Sequence, residues 1–180
     1  MGLRGQRKNS LTKLQEPNLL VDVESIIKDA QEKGYYTGYS LDIKKVICAI
    51  EEIEVRLEPM DANQSGSFKH ENDKWIIGVN EKHHPNRQKF TMAHELGHYI
   101  LHREKNINIV DTTFFRNNET DSIEFMANEF AAKLLMPENV VRDLVDNQRI
   151  KNIGELAEKF EISASAMRYR ILSLGYKLKD

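Results

Sequence analysis

The chain has little of what secreted, membrane-spanning or uniformly basic proteins require. It contains one cysteine, Cys48, and so forms no internal disulfide, which is typical of a reducing cytoplasm. It has no apolar run of the roughly 18 residues that a transmembrane helix needs. Residues 1–17 are basic and polar, without the apolar stretch of a secretion signal. We therefore expect a cytoplasmic protein with no membrane partner.

The composition favours a globular fold whose charges nearly balance. The formal net charge is −2 at pH 7, which excludes a generally basic surface for nucleic acid but not a local basic patch. Apolar residues make up 40% of the 180 residues, enough for the core of one domain plus a small appendage. Cys48 lies among the apolar residues of a predicted helix, and we interpret it as a small core residue. Ser40 is the expected N-cap of that helix.

The most informative feature that is present is the motif His94-Glu95-Leu96-Gly97-His98. It lies in residues 87–103, which we predict to form one helix. At about 100° and 1.5 Å per residue, His94 and His98 lie one turn apart on the same face, where both can reach a single metal ion. Glu95 starts beside His94 and can take a proton from a metal-bound water. This arrangement is typical of zinc hydrolases and favours a metallopeptidase. The alternative is a pair of surface histidines beside a glutamate.

The residues around the motif favour the metal site. Apolar neighbours recur at helical spacing, so much of this helix is predicted to be buried. Imidazoles and a carboxylate in a buried helix need partners, and a metal ion would satisfy them. Gly97 inside the motif costs about 1 kcal/mol of helix stability relative to alanine. A glycine there indicates close approach by a second element, or room for a ligand.

A second predicted helix, residues 119–136, supplies the third candidate ligand. Its apolar residues recur at i, i+3, i+4 and i+7, as on one buried face. Glu124 borders this apolar stripe, where a carboxylate is costly unless it is paired or bound. With His94 and His98 it completes a His-His-Glu set of the gluzincin type, with water as the fourth ligand. The alternative is an ordinary first-turn glutamate that stabilises the helix dipole.

Two further residues are candidates for supporting these ligands. Asn128, one turn after Glu124, can accept the outer N–H of a metal-bound histidine. His102 follows His94 by eight residues, roughly 12 Å along a continuous helix, which is too far for the same ion. We interpret His102 as a structural residue or as one that supports the ligands from outside.

The two motif segments together resemble the ImmA/IrrE family of metallo-endopeptidases. The resemblance is carried by the sequences RQKFTMAHELGHYILH at 87–102 and EFMANEFAAKLLMP at 124–137. It implies an α+β, zincin-like fold and a regulatory, intracellular protein. It also implies zinc ligands at His94, His98 and Glu124, with Glu95 as the catalytic base. Some members of the family cleave helix-turn-helix repressors of mobile elements or of stress responses.

A small sheet is predicted to precede the motif helix. Ile53, Val55 and Leu57 alternate with polar residues and predict a strand at 53–57. Two further strands are predicted at 67–70 and 74–80, on either side of a turn at 72–73. We expect a three-stranded, largely antiparallel sheet packed on the helices. The strand at 75–79 is nearest in sequence to the motif helix, so it is either the edge that binds a peptide substrate or an ordinary internal strand.

Two histidines follow the last strand. His83 and His84 lie in the loop between that strand and the motif helix. They are candidates for donating to the oxyanion or for contacting substrate at the mouth of the site. The alternative is that they are exposed loop residues without a role.

The chain is expected to have three parts. Residues 1–17 form a flexible basic arm, 18–137 a zincin-like metallopeptidase domain and 138–180 a small helical unit. Within the last part, Asn152 and Ser163 are expected to cap two helices whose apolar spacing resembles a helix-turn-helix.

Some basic residues of this C-terminal unit are candidates for binding DNA. Arg168, Tyr169 and Arg170 are candidates for contacting phosphates. The excess of basic residues in the unit is small, which would give weak binding. A packing appendage or a docking surface for a partner is therefore the favoured interpretation.

Together these features favour a zinc-dependent endopeptidase, and the family resemblance implies that its substrate is a regulatory protein, such as a helix-turn-helix repressor. Zinc is the expected cofactor, with manganese as the alternative. One competing interpretation is a regulatory binding module with a structural zinc and a C-terminal unit that binds a partner or DNA. Another is an amidase or deacetylase with the same chemistry in a closed pocket.

Overall fold

A computed structural model describes residues 23–102, 109–110 and 118–178 of the chain. The predicted basic arm, 1–17, lies outside these residues. Helices and strands mix along the chain, and the α+β class expected from the sequence is confirmed. The helices of the described ranges are α1 (Val23–Glu32), α2 (Ile43–Cys48), α3 (Pro85–His102), α4 (Asn118–Leu135), α5 (Glu138–Arg142), α6 (Ile153–Phe160) and α7 (Ala164–Ser173), with a π-helical turn at Asp143–Asn147 after α5.

The strands form a two-stranded hairpin and a larger mixed sheet. The hairpin pairs β1 with β2, and the sheet has the order β3-β5-β4-β6. In the sheet, β3 is parallel to β5, whereas the other neighbours are antiparallel. The strands are β1 (Tyr36–Thr37), β2 (Ser40–Leu41), β3 (Ile53–Glu58), β4 (Gly66–Glu71), β5 (Lys74–Asn80) and β6 (Ile109–Val110).

The prediction of a three-stranded sheet was wrong, because a fourth strand joins it. That strand, β6, has two residues, which pair with Ser67 and Phe68 of β4. A segment so short carries no alternation that the sequence could reveal. The prediction that most neighbours are antiparallel is confirmed.

The suggestion that residues 75–79 form an edge strand was also wrong. These residues belong to β5, which has β3 on one side and β4 on the other. Ile76, Ile77 and Val79 are all buried, as expected for a strand covered on both faces. The chain passes from β3 to β4 and then returns to place β5 between them. The predicted return turn is confirmed, since Asn72 and Asp73 have φ of 50° and 60°, the left-handed pair that tight hairpins use.

Two predictions about α2 were wrong. Asp42, not Ser40, caps the helix, because its side chain accepts a hydrogen bond from the backbone N–H of Lys45. Ser40 is buried in the β1–β2 hairpin instead. Cys48 is exposed rather than in the core, since α2 ends at this residue and its buried face consists of Ile43, Val46 and Ile47.

Close packing of α3 against α4 sets the position of the motif. A Cβ atom at Gly97 would lie 3.1 Å from Cδ1 of Phe130 and 3.2 Å from Cα of Ala127. These distances are tighter than most carbon contacts, so the glycine lets the two helix axes approach. The predicted close approach at Gly97 is therefore confirmed.

The C-terminal helices pack on this pair. Asn152 and Ser163 cap α6 and α7 as predicted, each accepting from a backbone N–H three residues on. Arg170 of α7 is only 4% exposed and donates from Nε to the carbonyl oxygen of Met136 at 2.9 Å. Among the described residues, no helix has both the length and the apolar character needed to cross a bilayer.

Candidate metal centre

Helix α3 brings the two motif histidines together. Their Nε2 atoms lie 2.9 Å apart, one turn of helix separating the residues. His94 is 7% exposed and His98 is fully buried, because their neighbours Ala93 and Leu96 lie in the core. The helical spacing thus places two imidazole nitrogens close enough to bind the same ion.

Helix α4 adds a carboxylate at the same point. Glu124 Oε2 lies 3.1 Å from His94 Nε2, and Glu124 Oε1 lies 3.4 Å from His98 Nε2. One donor atom from each of the three residues lies within 4.8 Å of the other two. The residues that the sequence suggested as metal ligands therefore form one cluster.

The protonation of the cluster suits a cation. Burial raises the pKa of the Glu124 carboxyl, but hydrogen bonds and charges from His94 and His98 outweigh it and lower that pKa far below its usual range. Glu124 is thus an ionised carboxylate. An ionised carboxylate beside two imidazoles needs a positive partner, which is either a proton on a histidine or a metal ion.

The contact of His94 with Asn128 suits metal binding. Its Nδ1 lies 3.0 Å from Oδ1 of Asn128. An amide oxygen can only accept, so Nδ1 carries the proton, and in a neutral ring Nε2 would then hold the lone pair that a cation binds. Two imidazole nitrogens and a carboxylate oxygen at these distances fit a divalent cation. The sequence suggested this contact of Asn128.

The carboxylate of Glu95, the residue after His94, lies against the sheet. It is fully buried on α3 and faces the first residue of β4. A Cβ atom at Gly66 would lie 2.6 Å from Glu95 Oε1 and 2.6 Å from Cγ2 of Thr91. A side chain at residue 66 would therefore require Glu95 and Thr91 to shift. This contact could not be predicted from the sequence, because residues 64–66 have the composition of a loop.

A cavity of about 930 Å³ opens beside the cluster. His94, Glu124 and Asn128 line it, together with residues of α6 and α7. The cluster is therefore reachable by a molecule larger than water.

The remaining candidates lie in different places. His84 lines the cavity, and its Nδ1 accepts from the backbone N–H of Asn86 at 3.2 Å. His83 instead places Nε2 at 3.3 Å from the carbonyl oxygen of Ala62 and is not among the lining residues. His102 is the last residue of α3, and its side chain lies outside the described part of the chain.

Tyr169 of α7 is a cavity residue that was suggested only as a phosphate contact. Its hydroxyl donates to Glu129 Oε1 at 2.5 Å. Burial and this hydrogen bond raise the pKa of Tyr169 to about 12, so the hydroxyl stays protonated at neutral pH. Apolar spacing within α7 could not reveal a contact with a residue 40 positions earlier.

Comparisons with known proteins agree with this site. Residues 48–172 match the peptidase family described as the IrrE N-terminal-like domain. The chain is 28% identical over 133 residues to the radiation response metalloprotease IrrE of Deinococcus radiodurans, a match that covers 72% of this chain and 40% of that protein. It is 24% identical over 155 residues to the metallopeptidase ImmA of Bacillus subtilis, covering 85% of this chain and 83% of that protein.

A solved structure shares the fold. It is titled a Mycobacterium tuberculosis transcriptional regulator and has a TM-score of 0.61 at 17% identity. The match covers 83% of this chain and 54% of the other, so this chain corresponds to about half of that protein. Both this structure and the Deinococcus relative extend well beyond the matched part.

Proposed function

The chain belongs to the ImmA/IrrE family of metallopeptidases, and from this premise we propose that it is a zinc-dependent endopeptidase of the gluzincin type. One observation carries the proposal. The donor atoms of His94, His98 and Glu124 lie within 4.8 Å of one another, and the cluster opens on a large cavity. Glu95, which follows His94 in the motif, is fully buried on the same helix.

The donor set favours zinc as the cofactor. Imidazole nitrogen suits zinc, whereas manganese prefers sites dominated by oxygen, and two of the three donors are imidazoles. When bound, zinc would act as a Lewis acid that polarises the scissile carbonyl and makes a water molecule acidic enough to attack it. If the purified protein contains manganese, the cofactor in this proposal is manganese, and the three ligands keep the same role.

Glu95 is assigned the proton transfers. One of its carboxylate oxygens takes a proton from the attacking water and returns it to the nitrogen of the leaving amine. Gly66 has no side chain, and this leaves the space that the carboxylate of Glu95 occupies. Asn128 orients His94 through the hydrogen bond to Nδ1, so that Nε2 stays directed at the cation. His84 lies at the cavity and is the remaining candidate for a substrate or oxyanion contact.

The cavity supports catalysis over a purely structural zinc. Structural zinc sites are closed by four protein ligands, whereas catalytic sites keep one position open. Here three ligand residues cluster, and two of them line a cavity of about 930 Å³. A space of this size also favours a peptide segment over the acyl group of a small amide.

The proposed substrate is a regulatory protein, such as a helix-turn-helix repressor, in the cytoplasm. The names of the two relatives support this choice, since one is a radiation response metalloprotease and both are metallopeptidases. Cleavage of one repressor would give the peptidase a regulatory role.

The substrate can be identified by comparing new protein N-termini in source cells that carry either the wild type or Glu95→Gln, with and without DNA damage. We expect new termini confined to one regulator in the wild type and absent in the variant. An identical set of termini in the two strains under every condition would contradict the proposed peptidase.

A further inference from the structure

The cavity at the metal centre has a wall that comes from the C-terminal helices. Besides His94 and Glu124, the lining includes residues of α6, of α7 and of the turn between them. We call this surface the α6–α7 wall and define it by six lining residues: Gly154, Ala157, Ile162, Ala164, Ser165 and Ala166. The wall lies more than 25 residues beyond the last metal ligand in sequence, yet it bounds the same space.

The wall is small and mainly apolar. Five of its six residues are glycine, alanine or serine, so their side chains leave depth in the cavity. Ile162 belongs to the wall, and Phe90 lines the same cavity from α3. Glu158, Ser163 and Tyr169 of the same segment add a carboxylate and two hydroxyls to the lining. Small residues that line one space together with Ile162 and Phe90 leave room for an apolar side chain of a ligand.

The wall is fixed to the motif helix. Lys89 of α3 is 9% exposed and donates from Nζ to the carbonyl oxygen of Phe160 at 2.8 Å and to Oγ of Ser40 at 2.5 Å. Asn86 of α3 donates to the carbonyl oxygen of Ile162 at 3.1 Å. These bonds hold the α6–α7 turn at both ends. A wall held in this way can select among ligands, because it does not change shape to fit a side chain of the wrong size.

The same geometry argues against the α6–α7 wall as a DNA-binding face. In helix-turn-helix proteins the first residues of the second helix reach base edges in the major groove. Here the equivalent residues, Ala164 and Ser165, line the cavity. Of the suggested phosphate contacts, Arg170 is buried against Met136, and Tyr169 donates to Glu129. Two of the three residues are therefore engaged within the protein.

We propose that the α6–α7 wall is the substrate-selecting surface of the metal cavity, and that it binds an extended segment of a protein substrate with a bulky apolar side chain beside the scissile bond. This inference rests on the proposed peptidase function. It assigns the C-terminal helices to peptide recognition rather than to nucleic acid.

The test uses ligands that are anchored on the metal and need no hydrolysis. The affinities of acetohydroxamate and of two peptide hydroxamates of equal length are measured by calorimetry on the full zinc-loaded chain. One peptide carries leucine next to the hydroxamate, and the other carries glycine. The proteins are the wild type, Ala164→Trp and Ser165→Trp, which fill the wall, and Arg168→Trp, which alters an exposed residue of α7 outside the lining.

We expect the wild type and Arg168→Trp to bind the leucine peptide about tenfold more tightly than the glycine peptide, because its side chain leaves water. Both wall variants should lose this preference while their zinc content and acetohydroxamate affinity stay unchanged. An intact preference in both wall variants would overturn the inference. Equal affinities for the two peptides in the wild type would do so as well.

The remaining outcomes separate the inference from the proposed function. If the wild type shows the leucine preference but hydrolyses no peptide, the proposed activity fails and the recognition surface stands. If acetohydroxamate does not bind the wild type, the metal site fails and both proposals fall. Displacement of the leucine peptide by duplex DNA would assign the wall to nucleic acid and overturn the inference.

Discussion

Gly66 on β4 lies against the carboxylate of Glu95 on α3, so that a Cβ atom at residue 66 would come within 2.6 Å of Oε1. The contact joins the sheet to the motif helix at the residue assigned to proton transfer. Gly66 is the first residue of β4, and the carboxylate of Glu95 occupies the space that a side chain at this residue would fill. The backbone of β4 at Gly66 therefore limits the position of this carboxylate.

Replacing Gly66 with alanine should therefore displace Glu95. We expect Gly66→Ala to keep its zinc but to lose on the order of 100-fold in kcat, the usual cost of a catalytic group moved by about 1 Å. Steady-state kinetics and zinc analysis of the same preparation test this. The new Cβ would also meet Thr91. The double variant with Thr91→Ala removes that second clash, and full recovery of activity in it would show that Glu95 is not the residue displaced.

Removing the carboxylate of Glu124 should empty the metal site. We expect Glu124→Ala to lose most of its bound zinc, since one of the three clustered donors is gone. Metal analysis of the purified protein measures this. The matched control is Glu138→Ala, which removes an exposed glutamate of α5 that pairs with Arg142. Zinc content equal to the wild type in Glu124→Ala would mean that another residue is the third ligand.

Asn128 should act on the metal through His94. We expect Asn128→Ala to weaken zinc affinity by roughly 10- to 100-fold, because His94 loses the acceptor that fixes its tautomer. Competition with a zinc chelator measures the affinity. Asn128→Asp keeps an acceptor oxygen and should restore most of the binding. Equal losses in the alanine and aspartate variants would mean that the hydrogen bond does not orient His94.

The sequence predicted the parts of this site that depend on local spacing. His94 and His98 converge because they lie one helical turn apart, and Glu124 joins them because its helix has a regular apolar face. The parts that it did not predict come from contacts between distant segments. Gly66 meets Glu95 across the interface of sheet and helix, and Tyr169 meets Glu129 from another helix.

The sheet was predicted less completely for a related reason. The three longer strands were predicted from local signals, namely the alternation at 53–57 and the left-handed turn at 72–73 that joins the other two. The order of strands depends on how the chain crosses over, which alternation does not record. The interior position of β5 and the pairing of the two-residue β6 are both consequences of that order.

Lys89 should contribute strongly to stability. Burial lowers its pKa, opposed by the charge of Glu161, and its ammonium group binds Ser40 and the carbonyl of Phe160. We expect Lys89→Met to lower the free energy of unfolding by about 2 kcal/mol, because buried acceptors lose a charged donor. Urea denaturation measures this.

The control for this prediction is Lys133→Met, since Lys133 is half exposed and its nitrogen lies 3.9 Å from Glu129. It should cost about 0.5 kcal/mol or less, as exposed ion pairs do. Equal destabilisation by the two variants would show that the buried network at Lys89 does not hold the C-terminal helices to α3.

We propose that Glu95 performs proton transfer at a metal held by His94, His98 and Glu124. The most direct measurement compares purified, zinc-loaded wild type and Glu95→Gln, with zinc content and cleavage of a proteome-derived peptide library determined on the same samples. We predict equal zinc content, cleavage by the wild type and no cleavage by the variant. Cleavage at the same rate by both proteins would contradict the account.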